Sequence, residues 1–315
     1  MKRYFRFIAV ILLALPLVAT AKPAKVTNGS DAGPGSLRAA LESGAKKINI
    51  SPSVDVIAIE TPLVYEGDDS LTIRGTGQTI DGLALADGDS ILDVTMGADL
   101  NISNLAFQGQ GGFDIQNQGG GVGINLEVPL SRTGVVSVVL KRVGVYDVGN
   151  HGVLINDCTL DPGSALPSCG GGTGGADDSG SDASIDIQLV DVVIDGVGFG
   201  NQDGDGLRAN ERGPGSITFS ATNSEFNNVG GDGVELDENQ EGDVVINGRN
   251  LAFDNNGAYC AAVGYGGTLP VATVLALDTN CNDDDEPDVD DAWDIDEGGP
   301  GGIFGRASNL LLTRN

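Results

Sequence analysis

Phe226-Asn227-Asn228-Val229-Gly230-Gly231-Asp232-Gly233-Val234-Glu235-Leu236-Asp237 aligns without a gap on Val145-Tyr146-Asp147-Val148-Gly149-Asn150-His151-Gly152-Val153-Leu154-Ile155-Asn156. Apolar positions coincide, and so does a step of the form x-Gly-apolar. Asp205-Gly206-Leu207-Arg208-Ala209-Asn210 repeats the second half. Upstream, Ile217-Thr218-Phe219 recurs 27 residues later as Val244-Val245-Ile246, and Phe226 recurs as Phe253. One unit is therefore 27 residues long. A period of this size marks arrays in which each unit buries its apolar face only against its neighbours. The 54 residues from Gly152 to Gly206 read as one unit of 27 carrying two insertions, about 22 residues around Cys158 and Cys169 and about 5 near Gly200-Asn201-Gln202.

Within a unit the apolar residues alternate, as in Ile185, Ile187 and Leu189, or Val234 and Leu236. Period 2 means half-buried strands. Gly, Asn and Asp fill the breaks, where left-handed backbone is tolerated. Three short strands per unit predict an all-β chain, a right-handed parallel β-helix (solenoid) of roughly eight or nine rungs starting near Ile48. Asn104, Asn223, Asn250 and Asn309 each stand three residues before an apolar side chain. They are expected to stack as an internal asparagine ladder. Ser36 to Gly44 predicts a short capping helix, with Ser36 as N-cap, Leu37, Ala40 and Leu41 on one face and Gly44 as the stop. The expected layout is a signal peptide (1–21), a cap segment (22–47) and a β-helix (48–315) with insertions at about 158–180 and 278–298.

Lys2, Arg3 and Arg6, the apolar run Phe7–Leu15 and Ala19-Thr20-Ala21 read as a secretory signal cut after Ala21. Export, to the periplasm or the exterior, is the expected localisation. The run is too short for a membrane span, and none is expected elsewhere. The chain carries 17 Lys+Arg against 45 Asp+Glu, a net charge of -28. That balance excludes an autonomous nucleic-acid binder, whose affinity would come from basic groups on phosphates. Export permits disulfides. Cys158–Cys169 and Cys260–Cys281 are the favoured pairs among three possible pairings. A zinc site is disfavoured, because no Cys-x-x-Cys is present and His151 is the only histidine.

The chain resembles the pectate-lyase-like superfamily of right-handed parallel β-helix proteins. The motif that carries the likeness is Val26-Thr27-Asn28 followed by Gly33-Pro34-Gly35-Ser36-Leu37-Arg38-Ala39-Ala40, which is similar to the start of many exported bacterial β-helix proteins. The resemblance implies the fold and export, and extends to polysaccharide chemistry only as one of several habits of that fold. Trp293-Asp294-Ile295 lacks the Trp-x-Asp-His element of pectate lyases. Asn150-His151-Gly152 matches only one of the polygalacturonase motifs, and its glycine belongs to the repeat.

Register predicts files of side chains. His151, Asp205, Asp232 and Tyr259 should stack, then Leu154, Arg208 and Glu235, then Asn156, Asn210 and Asp237. Arg208 with Asp203, Asp205, Glu235 and His151 is the candidate catalytic set, since a lyase needs a base and a charge partner for the uronate. Asp232, Asp237 and Asn210 would add binding groups on the same outward polar face. The simpler reading is an exposed Arg208–Glu235 ion pair worth a few tenths of a kcal/mol. Asp283, Asp284, Asp285, Asp288, Asp290 and Asp291, in an acidic stretch over 278–297, offer oxygen ligands for Ca²⁺, the only cofactor expected. Two functions follow. One is binding, and beyond it processing, of extracellular polysaccharide on the polar face. The other is a non-catalytic adhesin-like or structural surface or matrix protein stabilised by Ca²⁺, whose partner would be polysaccharide or another cell-surface ligand. Lack of a complete catalytic motif leans against an enzyme; if one, it would be a polysaccharide lyase or glycoside hydrolase.

Overall fold

The computed structural model describes residues 23–110, 121–157, 180–198, 204–257, 292–313 and 315. In chain order the elements are β1 (Ala24–Val26), α1 (Leu37–Glu42), β2 (Lys47–Ile50), β3 (Val56–Ala58), β4 (Leu63–Tyr65), β5 (Ser70–Asp81) and β6 (Leu92–Val94). There follow β7 (Asp99–Gln108), β8 (Ile124–Glu127), β9 (Thr133–Tyr146), β10 (Val153–Asp157), β11 (Asp182–Val190) and β12 (Val193–Asp195). The last are β13 (Leu207–Glu211), β14 (Ile217–Asn227), β15 (Val234–Glu238), β16 (Asp243–Asp254), β17 (Trp293–Glu297) and β18 (Gly302–Thr313).

Among the described residues the chain is all-β apart from α1, and the strands form two parallel sheets. The larger sheet runs β1-β2-β5-β7-β9-β11-β14-β16-β18, with β3 and β12 paired alongside; the smaller runs β17-β15-β13-β10-β8-β6-β4. From β4 onward the chain passes from one sheet to the other and back, and each strand lies beside its equivalent one repeat earlier. This arrangement is compatible with a β-helix-like fold.

Register carries the repeat. Ile217 pairs with Val244 and Leu207 with Val234, both 27 positions on. Val153 pairs directly with Leu207, so the 54 residues between them make one repeat. In the larger sheet the step lengthens to 49 from Val136 to Ile185. It then falls to 32 from Ile185 to Ile217, so the two steps exceed 27 by 22 and by 5.

Strands β7, β9, β14, β16 and β18 of the larger sheet each bend at one left-handed residue, Asn104, Arg142, Asn223, Asn250 and Asn309 in turn, with φ between 53° and 55°, whereas β5 shifts register near Gly77 (φ 110°). Asp191 (φ 54°) does the same between β11 and β12. The bend resets the alternation. In β16, Val244 and Ile246 before Asn250 and Leu251 and Phe253 after it all face the core. A strand without the reset would turn one half of its apolar set to solvent. The expected ladder exists but lies outside the core. Asn250 Nδ2 donates to Asn223 Oδ1 (2.8 Å) and Asn309 Nδ2 to Asn250 Oδ1 (2.8 Å), all at exposed positions. The asparagines turn the chain, and turning residues sit on the outside of a bend.

Helix α1 forms as expected. The Ala39 N–H donates to Ser36 Oγ (3.1 Å), Leu37, Ala40 and Leu41 are buried, and Gly44 takes φ +70° just past the end. One expectation is corrected: the ladder starts at Ala24 rather than Ile48, because β1 pairs with β2. Along the core, Phe226 stacks on Phe253 with ring centroids 5.0 Å apart, and Phe253 meets Trp293 at 5.4 Å. Among the described residues no helix is long and apolar enough to cross a membrane.

Candidate functional site

The site lies on β10, β13, β15 and β17. A glycine file sets their spacing: a Cβ on Gly152 would come within 2.6 Å of Gly206 O, and one on Gly206 within 2.4 Å of Gly233 O. Only a residue without a side chain permits that stacking. Gly123 and Ala292 continue the same file at either end, with Gly123 N–H bonded to His151 O (3.1 Å) and Val234 N–H to Ala292 O (3.2 Å).

Two of the three predicted files form in the expected register; the first does not continue 27 residues on to Tyr259, because Val234 pairs with Trp293, 59 positions on. Leu154, Arg208 and Glu235 are neighbours across successive strands, and so are Asn156, Asn210 and Asp237. Their environment differs from the expectation. Instead of an exposed polar face, every residue of β13 and β15 is buried. Arg208 and Asp237 are each 2% exposed, Glu235 5%, and Asp205 is fully enclosed. The Arg208–Glu235 contact is a buried ion pair, Nη2 to Oε1 at 2.6 Å, not a surface one. A strand whose two faces are both enclosed must pair its charges, because an unpaired buried ion costs several kcal/mol.

Arg208 does most of that pairing. Its Nη2 also meets Asp237 Oδ2 at 3.2 Å, its Nη1 lies 3.5 Å from Asp205 Oδ2, and its Nε donates to Asn210 Oδ1 at 3.3 Å. Asn210 Nδ2 passes the chain on to Asn156 Oδ1 at 2.8 Å. Arg212, equally buried, reaches Asp237 at 3.8 Å. Asp205 Oδ1 accepts the Asp232 N–H (2.9 Å), while the Asp205 N–H donates to His151 Nδ1 (3.0 Å), which also lies 3.1 Å from Asp205 Oδ2.

These contacts separate the carboxyls. Burial works to raise Asp205, but the hydrogen bond and charge of His151 and the charge of Arg208 outweigh it and hold its pKa below the usual value. Glu235 is driven far up by burial and by the charge of Asp205, against Arg208. Asp237 is also raised by burial, with Arg208 and Arg212 opposing.

A second acid file was not anticipated. Asp157, Glu211, Glu238 and Glu297 stack in register at the ends of the four strands. Glu211, Glu238 and Glu297 each accept the backbone N–H two residues on, from Gly213 (2.9 Å), Gln240 (3.1 Å) and Gly299 (2.9 Å), and Asp157 accepts that of Ser181 (2.9 Å), 24 residues on. Burial, with the charges of Asp157 and Glu238, pushes Glu211 up to about 9. Asp157 and Glu238 are raised as well, chiefly by burial. Its signal in the sequence is an acid one residue beyond the Asn156, Asn210 and Asp237 file.

For a metal, Asp205, Asp232 and Glu235 each bring an oxygen within 4.8 Å of the others. Asp203, Tyr259, the four cysteines and the proposed calcium ligands Asp283, Asp284, Asp285, Asp288, Asp290 and Asp291 lie outside the described residues. The acidic stretch is corrected at its end: Asp294, Asp296 and Glu297 belong to strand β17, paired with β15, and not to an insertion reaching 298. A different, open site lies over the bends of the larger sheet, a groove lined by Gly75, Asn104, Arg142, Gly144, Tyr146 and Asp191 among others. No family model, curated protein or solved structure matches this chain.

Proposed function

We propose that this chain is an exported right-handed parallel β-helix of the pectate-lyase-like kind that works without catalysis, as an adhesin-like or structural surface or matrix protein. The observation that carries the reading is the state of Arg208. A lyase base must be free to meet a sugar proton, whereas Arg208 is 2% exposed and held by Asp205, Glu235 and Asp237. Two glycosidase carboxylates would need a cleft between them, and Glu235 and Asp237 are enclosed with it. The regular register and the acidic coat suit an extended, soluble scaffold. Ca²⁺ is the cofactor to test, at Asp205, Asp232 and Glu235 or in the acidic stretch before β17.

The second reading, polysaccharide binding, is favoured by one observation away from the cluster. Arg142 is exposed in the larger sheet's groove, donates through Nε to Asn104 Oδ1 (2.6 Å), and makes no ion pair among the described residues. Tyr146 lies across Gly144, where a Cβ would come within 2.3 Å of its ring. An exposed arginine and an aromatic ring lining one groove are the groups that take a sugar carboxylate. A screen against a polysaccharide panel with and without Ca²⁺, scoring binding and new unsaturated or reducing ends, tests both. Absence of new ends fits the first reading; new ends that vanish with Arg208→Ala overturn it. Binding lost in Arg142→Ala supports the second.

A further inference from the structure

We infer that the outer face of the larger sheet is a docking track for a single anionic polysaccharide chain laid across its strands. Two neighbouring files of side chains run along that sheet, the first from β1 to β18 and the second from β2 to β18. In the first, register aligns Lys25, Arg74, Lys141 and Arg249, the other members being Asn49, Ser103, Val190, Thr222 and Ser308. In the second, two residues back on each strand, Lys47 and Arg306 stand at either end of Thr72, Asn101, Val139, Gln188, Ser220 and Asn247. These positions alternate with core residues, as Thr72 and Arg74 do with Leu71 and Ile73, so they face away from the core. All six cations are exposed, and so is Arg142, one position past Lys141 at the bend. None of the seven makes an ion pair among the described residues. The chain has 17 Lys+Arg against 45 Asp+Glu, yet neither file holds an acid.

Acids resume on both flanks. Asp99 and Asp186 stand in the next file back, and Asp191 at the bend and Glu225 beyond it lie on the other side. The cationic strip is thus two files wide, about 7 Å at 3.3 Å per residue, and about 38 Å long over eight strand steps. Its width selects the occupant. A planar anionic membrane would rest on the flanking acids as well as on the cations, whereas one polymer chain runs between them. The two files hold no aromatic side chain, the platform on which a single nucleic-acid strand stacks its bases. Between the cations they present hydroxyls and amides instead, among them Thr72, Asn101, Ser103, Ser220 and Thr222. Cations for carboxylate or sulfate groups, with neutral hydrogen-bonding groups for sugar hydroxyls, match an acidic glycan. The acidic coat around the strip repels such a chain and so confines it there. The inference rests on the polysaccharide reading of Arg142 and extends it from one groove to the length of the sheet, with side-chain cations in place of a Ca²⁺ bridge.

The test is calorimetric titration of the full chain, in EDTA, with alginate, dextran sulfate, uncharged dextran, single-stranded DNA and phosphatidylserine vesicles. Alginate or dextran sulfate should bind, the pair separating carboxylate from sulfate as the group held, and dextran, DNA and vesicles should not. Binding should weaken about tenfold or more between about 50 and 300 mM salt, as the cations are screened and counterions are no longer released. Lys47→Gln with Arg74→Gln and Lys141→Gln should weaken it about tenfold or more with an unchanged circular dichroism spectrum, while Arg132→Gln, outside the files, leaves it within about twofold. Should the triple change impair folding, the bound glycan should protect Lys25, Lys47 and Lys141 of the wild-type chain from acetylation, read by mass spectrometry. Glycan binding indifferent to the triple change, no such protection, or equal binding of DNA or vesicles would overturn the inference. Binding of neutral dextran alone, lost in Arg142→Ala, would overturn the strip and leave the groove reading standing; binding of no polysaccharide would overturn both.

Discussion

Replacing Arg208 by methionine keeps the apolar stem and removes the charged fork. The fork contacts Asp205, Glu235 and Asp237, all at most 5% exposed. Removing one partner of a buried ion pair costs about 3–5 kcal/mol. At about 2–4 °C per kcal/mol for a domain of this size, the melting temperature should fall by roughly 10 °C. The loss should depend on pH. Glu235 and Asp237 already have raised pKa values, and Arg208 is what holds them down. Without it both carboxyls take up protons more readily, so the variant gains relative to wild type as pH falls. Urea and thermal unfolding at pH 8 and pH 5 would measure both effects. A loss under about 1 kcal/mol, or one equal at the two pH values, would refute the reading of Arg208 as the counter-ion of enclosed carboxylates.

The file of strand-end acids gives a prediction of opposite sign. Glu211 is raised to about 9 in the folded chain, so the fold binds its proton more tightly than the unfolded chain does. That stabilisation is complete below the unfolded value near 4.5 and is lost as pH rises toward 9. Wild-type melting temperature should fall over this window, and Glu211→Gln, which keeps the acceptor for Gly213, should melt higher than wild type at pH 9 and equally at pH 5. At the outer bend, Asn250→Ala should cost about 1 kcal/mol more than Asn250→Gly in urea titration, since both lose the ladder but only alanine strains the left-handed backbone. In the core, Phe226→Ala should lower stability by about 3–5 kcal/mol by removing the stack on Phe253, and Phe226→Leu by clearly less.

What could be read from the sequence was whatever the repeat dictates locally. The match of Gly152, Gly206 and Gly233 gave the true neighbours in the smaller sheet, because a Cβ at any of them would strike the backbone of the next strand. The recurrent asparagines marked the bends, since asparagine tolerates left-handed backbone better than most residues. Their position outside the core was misjudged, because spacing says that residues stack but not on which side of the chain. The same gap explains Arg208. Alternation gave its register with Glu235 and assigned both to an open face, whereas burial depends on what packs over a sheet, and no periodicity within β13 or β15 carries that. The acids at 157, 211, 238 and 297 went unseen because their role, accepting a backbone N–H just past the strand end (at 211, 238 and 297) or from Ser181 (at 157), needs the strand ends to be known first.

Dicarbonyl labelling of arginines on the folded protein, read by mass spectrometry, asks most directly whether Arg208 is enclosed and engaged. Arg142 and Arg249 are exposed, while Arg208 and Arg212 are 2% exposed. Arg142 and Arg249 should therefore label rapidly, and Arg208 and Arg212 only on unfolding in denaturant. Labelling of Arg208 in the native protein at the rate of Arg249 would contradict the structural role assigned to it and return it to the list of groups able to meet a ligand.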